Sequence, residues 1–190
     1  MISTLLSYIS REVFPRWKTV LLTSECALAL LVAVLIGRMG PQFLNEKPTV
    51  SEFVTAVAAY ASIAMGFCVA GMTIALTLPS KELMERLATT QIRSRHGNAL
   101  SGLLFVFSWT AFVHWSLVVW SLTGLLIGGS NEPVLTANAT FTRRALVGIS
   151  CGCVVYCLCQ FAITIITISQ AGAVYIGELQ NAATKSRANG

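Results

Sequence analysis

The chain has 190 residues, 55% of them hydrophobic and only 11% charged, less than half the charge of roughly a quarter that soluble domains carry. Its net charge of +5 comes from 13 lysines and arginines against eight acids, all of them glutamate. The lack of aspartate removes Asp-based metal, phosphoryl-transfer and hydrolase constellations, and no Walker, GxGxxG, HExxH or nucleic-acid motif occurs.

Residues 1–18, "MISTLLSYISREVFPRWK", place Ile2, Leu5, Leu6, Ile9, Val13 and Trp17 near one helical face. The pattern predicts an amphipathic helix lying in the headgroup region, ended or kinked by Pro15. Four long apolar runs follow, Thr19–Gly37, Phe53–Leu78, Ala99–Ile127 and Ala145–Ile176. Each is long enough to cross a bilayer as a helix, which needs about 20 residues. The expected fold is an all-α membrane protein, a four-transmembrane-helix bundle. The first run has no A-x-A site after it and is expected to be retained as a span.

Glu25 is the only carboxylate inside a predicted span, six residues past Thr19, or about 9 Å along a helix. Such a group is a candidate ion or proton site. In the second span Thr55, Ala59, Ser62, Gly66, Ala70, Thr73 and Thr77 recur at spacings of three and four, forming one small-residue stripe at about 100° per residue. Two roles fit: close helix packing through Ala59, Gly66 and Ala70, or a hydroxyl-lined path through Ser62, Thr73 and Thr77.

The segment "LPSKELMERLATTQIRSRHGN" predicts a helix over 80–95, capped by Ser80. Its Leu83, Met84 and Leu87 form a candidate face for packing on the bundle or for a cytoplasmic protein partner. With the N-terminus inside, nine basic residues (Arg11, Arg16, Lys18, Lys81, Arg86, Arg93, Arg95, Lys185 and Arg187) fall on the cytoplasmic side. Four (Arg38, Lys47, Arg143 and Arg144) fall outside. The bias places both termini in the cytoplasm, with the Arg143–Arg144 pair dissenting. The expected location is a bacterial plasma membrane. Arg11, Arg16, Lys18, Arg93 and Arg95 are candidate contacts for anionic headgroups. The outer connections, 38–52 and 128–144, are rich in turn residues.

His114 lies near the middle of the third span, with Thr110 one turn before it. A bundle histidine bonded to a hydroxyl is the expected reading, since His96 alone could not complete a haem site inside the membrane. The fourth span carries "SCGCVVYCLCQ", four cysteines in nine residues. On a helical wheel Cys153 and Cys157 align with Gln160, Thr164, Thr167 and Ala171, while Cys151 and Cys159 point elsewhere, so the four cannot converge as tetrahedral zinc ligands. Cys153 and Cys157 are expected to pack as small hydrophobes. The letters of "GISCG" match G-x-S-x-G, but that chemistry needs an exposed strand-to-helix turn, and here the motif opens a membrane helix. No enzyme activity, cofactor or metal is expected.

The functional expectation is a homo-oligomeric channel or pore module. Its lining would come from Glu25, Ser62, Thr73, Thr77, His114, Gln160, Thr164 and Thr167, with lipids as its surroundings and no nucleic-acid partner. One alternative is a membrane anchor or sensor subunit recruiting a cytoplasmic protein, an architecture similar to the small membrane subunits of bacterial antiviral defence complexes. A third is a proton-coupled transporter using Glu25.

Overall fold

A computed structural model of the chain describes residues 23–43, 48–77, 99–128 and 131–188. These residues form four helices: α1 (Ser24–Phe43), α2 (Val50–Thr77), α3 (Ala99–Gly128) and α4 (Phe141–Ala188). All four are long and apolar enough to cross a membrane. Among the described residues there is no strand, only an isolated bridge between Thr49 and Pro133. The interfacial helix expected at 1–18 and the helix expected at 80–95 lie outside the described residues.

The helix ends differ from the bounds of the apolar runs. α1 continues past Gly37 through Arg38 and Pro41 to Phe43, the last residue described there, because polarity alone does not end a helix. Glu25 falls in the first turn of α1, where the helix dipole favours an acid. α2 opens with a reciprocal capping box: the Thr49 amide donates to the Glu52 carboxylate at 2.9 Å, and the Glu52 amide donates to Thr49 Oγ1 at 3.2 Å. α4 runs for 48 residues, about 72 Å at ~1.5 Å per residue. It therefore stays helical across 177–188, past the apolar run that ends at Ile176. Its Glu, Gln, Ala, Lys and Arg are all good helix formers.

The helices associate as two pairs, α1 with α4 and α2 with α3, and the pairs meet mainly along α3 and α4. Glycines set the closeness of the first pair. A Cβ added at Gly152 would lie 2.7 Å from the Ala29 carbonyl oxygen and 2.9 Å from the Ala33 Cβ, and one at Gly148 would collide with the Ala33 carbonyl. Gly148 and Gly152 are thus a G-x-x-x-G contact laid on Ala29, Ala33 and Gly37 of α1, a spacing that brings two backbones together. The "GISCG" string is a packing surface. In the second pair Gly71 leaves room for Phe107, whose Cε1 would be 2.6 Å from an added Cβ. The shared core gathers Val57, Ala61, Leu117 and Cys157, with Phe53, Tyr60, Val113, Val118 and Val154 around them.

At one end of the bundle the α3–α4 connection is bound to the start of α2. The Val50 amide donates to Glu132 O at 2.8 Å and the Val134 amide to Pro48 O at 2.9 Å. Arg143 ties this connection to α4: Nε donates to Val134 O at 3.2 Å, Nη1 to Glu132 Oε2 at 3.0 Å, and Nη2 to Pro133 O. Arg144 donates to Ala137 O at 2.7 Å. The two arginines that dissent from the basic-residue bias are therefore both engaged in holding this connection.

Leucine at Gly148 or Gly152 should wedge α1 from α4, because overpacking a well-packed contact costs about 1–3 kcal/mol. Thermal unfolding in detergent should show both variants melting below the parent. Leucine at Gly172, which has open space around it, should not lower the midpoint.

Candidate functional site

The polar side chains of the spans fall into three groups. The first is a buried seam. His114 on α3 is fully buried, and its Nδ1 lies 2.7 Å from the Thr110 carbonyl one turn earlier. A carbonyl can only accept, so Nδ1 carries the proton. Nε2 is then left as an acceptor for the Tyr60 hydroxyl of α2, 3.0 Å away. The imidazole is enclosed by aromatic rings, with the Tyr60 centroid at 5.5 Å and Phe161 of α4 edge-on at 6.1 Å.

Thr110 continues the seam to α4. Thr164 Oγ1 donates to Gln160 O at 2.9 Å, so it accepts from Thr110 Oγ1, 2.8 Å away. Both threonines are fully buried and Gln160 nearly so. Two indoles add further α3–α4 bonds: Trp109 Nε1 donates to Tyr156 Oη at 3.1 Å and Trp120 Nε1 to Ser150 Oγ at 2.9 Å. Ser150 Oγ in turn donates to Leu146 O at 2.8 Å. Cys157 points its thiol at Val113 O, 3.8 Å away. The direction of each bond follows from its acceptor, giving a chain of satisfied donors where lipid could supply none.

The second group is the α2 stripe. Thr55, Ala59, Ser62, Gly66, Ala70, Thr73 and Thr77 are all exposed, whereas Val54, Val57, Ala61, Ala64 and Cys68 on the other face are buried. Thr73 and Thr77 bond back to Val69 O at 3.0 Å and Thr73 O at 2.8 Å. These hydroxyls are therefore satisfied on their own helix and need no water. The seven stripe residues face outward, while the small residues Ala61, Ala64 and Cys68 of the other face pack within the chain.

The third group, Ser121, Thr123, Ser150 and the Arg143–Glu132 pair, lines a half-open cleft of about 520 Å³ between α2, α3 and α4 at the Arg143 end. The cleft is mostly apolar, and Trp120 and Gly124 are among its lining residues.

The candidates are thus dispersed. His114 and Thr164 lie in the seam, which Gln160 joins through its main-chain carbonyl, and Thr167 is half-buried one turn further along α4, bonded to Ile163 O at 2.8 Å. Ser62, Thr73 and Thr77 share the outward stripe with Ala59, Gly66 and Ala70. Glu25 is partly exposed on α1, which packs on α4 and not on α2. Cys157 is buried and Cys153 exposed, with Cys151 and Cys159 between; all six cysteines are free thiols. No three His, Cys or Glu side chains among the described residues are placed to hold a metal. Leu83, Met84, Leu87, Arg11, Arg16, Lys18, Arg93 and Arg95 lie outside the described residues.

Tyr60 was not among the sequence candidates, because an aromatic at a helix-core spacing reads as packing. The usable signal was a phenol needing a partner, with a buried histidine available. Gly148 and Gly152 were visible as a four-residue small spacing.

Four membrane-length helices and an internally satisfied polar seam define an integral membrane protein built as a helix bundle. Comparison with known proteins found no matching family model, no matching curated protein and no matching solved structure.

Replacing both threonines tests the seam. Thr110→Val and Thr164→Val each strand a partner, and the double variant strands none, so the two losses should be non-additive. A double-mutant cycle on unfolding free energy should return a coupling of about 0.6 kcal/mol or more, the usual scale for interhelical bonds in membranes. Additive losses would contradict the bond.

Proposed function

We propose that the chain is a homo-oligomeric membrane module that forms a channel or pore, assembled through the outward face of α2. The observation that supports this reading is the full exposure of the seven-residue small stripe on a helix whose opposite face is the core. A helix that only met lipid would gain nothing from seven small residues in register. A helix that met copies of itself would gain close approach and van der Waals contact.

The rest of the geometry argues for a path between copies over a path through one. Inside a single chain the polar groups are paired with each other around His114, Thr110 and Thr164, and aromatic rings close off the imidazole. On α2 the hydroxyls left on a free surface are those of Thr55, Ser62, Thr73 and Thr77. Copies arranged with α2 toward a common axis would place these hydroxyls along it. Glu25, on the α1–α4 pair, is not part of the lining in this arrangement.

Purified protein in liposomes should conduct an ionic or small-solute flux by itself. Gly66→Leu, a change with nothing within 4 Å of its Cβ inside the chain, should leave the fold intact yet shift the protein to monomer in light scattering and abolish flux. Flux that persists in a monomeric Gly66→Leu, or no flux from the parent, would remove the proposal.

A further inference from the structure

The cleft at the Arg143 end has a polarity gradient. Its mouth holds the Arg143–Glu132 ion pair, while Val57, Leu117 and Val154 lie at its far end. Arg143 and Val154 are eleven residues apart on one helix, about 16 Å at ~1.5 Å per residue. That depth is about half of the roughly 30 Å hydrocarbon core, the thickness of one leaflet. The volume of about 520 Å³ lies in the range of small-molecule sites, about 300–1,000 Å³. Gly124 lines the cleft, and a Cβ there would meet nothing within 4 Å, so the space is built into α3.

The mouth also selects. Of the five guanidinium N–H donors of Arg143, the three bonds to Val134, Glu132 and Pro133 leave two for an outside acceptor. The side chain is 34% exposed and that of Glu132 61% exposed, so both charges are within reach of a ligand at the mouth. An arginine offers a phosphodiester two parallel donors. The adjacent carboxylate repels excess negative charge and attracts a cation. A headgroup with both signs fits this pair better than one with a net negative charge.

We infer that the cleft is a binding site for one zwitterionic phospholipid. An acyl chain lies between α2, α3 and α4, the phosphate sits on Arg143, and the headgroup cation sits near Glu132. The site belongs to the single chain and does not depend on self-association.

Trp120 in the cleft wall supplies the readout. Phosphatidylcholine with a dibrominated acyl chain, titrated into the full chain in alkyl maltoside micelles, should quench tryptophan emission saturably. That component should vanish in Trp120→Phe. Gly124→Ala should keep the saturable phase, and Gly124→Leu should lose it with no fall in melting temperature. Thr123→Phe, which fills the cleft from an exposed wall position, should do the same. Dibrominated phosphatidylglycerol should bind more weakly than phosphatidylcholine, and Glu132→Gln should narrow that gap. Non-saturating quenching would overturn the assignment, as would equal quenching in folded Gly124→Leu and Thr123→Phe or a parent preference for phosphatidylglycerol.

Discussion

The fold depends on the buried imidazole of His114. Hydrocarbon offers no hydrogen-bond partner, so an imidazole inside a span must find both of its partners in the protein. Here the two bonds run in opposite directions. Nδ1–H is donated to the α3 backbone at Thr110 O, and Nε2 receives the Tyr60 hydroxyl of α2. Thr110 Oγ1 then donates a hydrogen bond to Thr164 Oγ1 on α4. Three helices are thereby fixed in register by side chains that satisfy one another. α1 is attached differently, by backbone approach over Gly148 and Gly152. Polar bonding and small-residue packing thus divide the work of association between the two halves of the bundle.

This division decides which surfaces are left over. His114, Thr110 and Thr164 bond across α2, α3 and α4, so the centre of one chain is a hydrogen-bonded seam. α2 buries Val54, Val57, Ala61, Ala64 and Cys68 and leaves its seven-residue stripe outward, beside exposed Ile63 and Phe67. The connection clamped by Arg143 and Glu132 holds the ends of α2 and α4 in position over the cleft. Surface for self-association and space for an amphiphile therefore arise from the same packing.

Much of the fold was legible in the amino-acid sequence. Apolar runs of 19 residues and more could only be spans, and the helical wheel placed Gln160 and Thr164 on one face before any contact was known. Helix ends were less legible: α1 runs through Arg38 to Phe43 and α4 through 188, because local helix propensity does not follow the edge of an apolar run. Cys153 and Cys157 looked equivalent, yet positions one turn apart still differ by about 40°. That offset crosses the edge of the buried face, leaving one thiol exposed and the other buried. The pairing of α1 with α4 was hidden in a string whose letters suggested a serine nucleophile. The Thr49–Glu52 capping box was readable as T-x-x-E. The partner of His114 was not, because no periodicity within one helix says which neighbour will present a hydroxyl.

The most direct measurement is the tautomer of His114. The chain holds two histidines, so His96→Gln leaves one imidazole to observe by nitrogen-15 NMR in lipid nanodiscs. The arrangement described here requires a protonated Nδ1 and an unprotonated Nε2 with the shift of a hydrogen-bond acceptor, and Tyr60→Phe should move the Nε2 resonance while leaving Nδ1 in place. An Nε2–H tautomer, or an Nε2 signal indifferent to Tyr60, would contradict the seam on which the bundle rests.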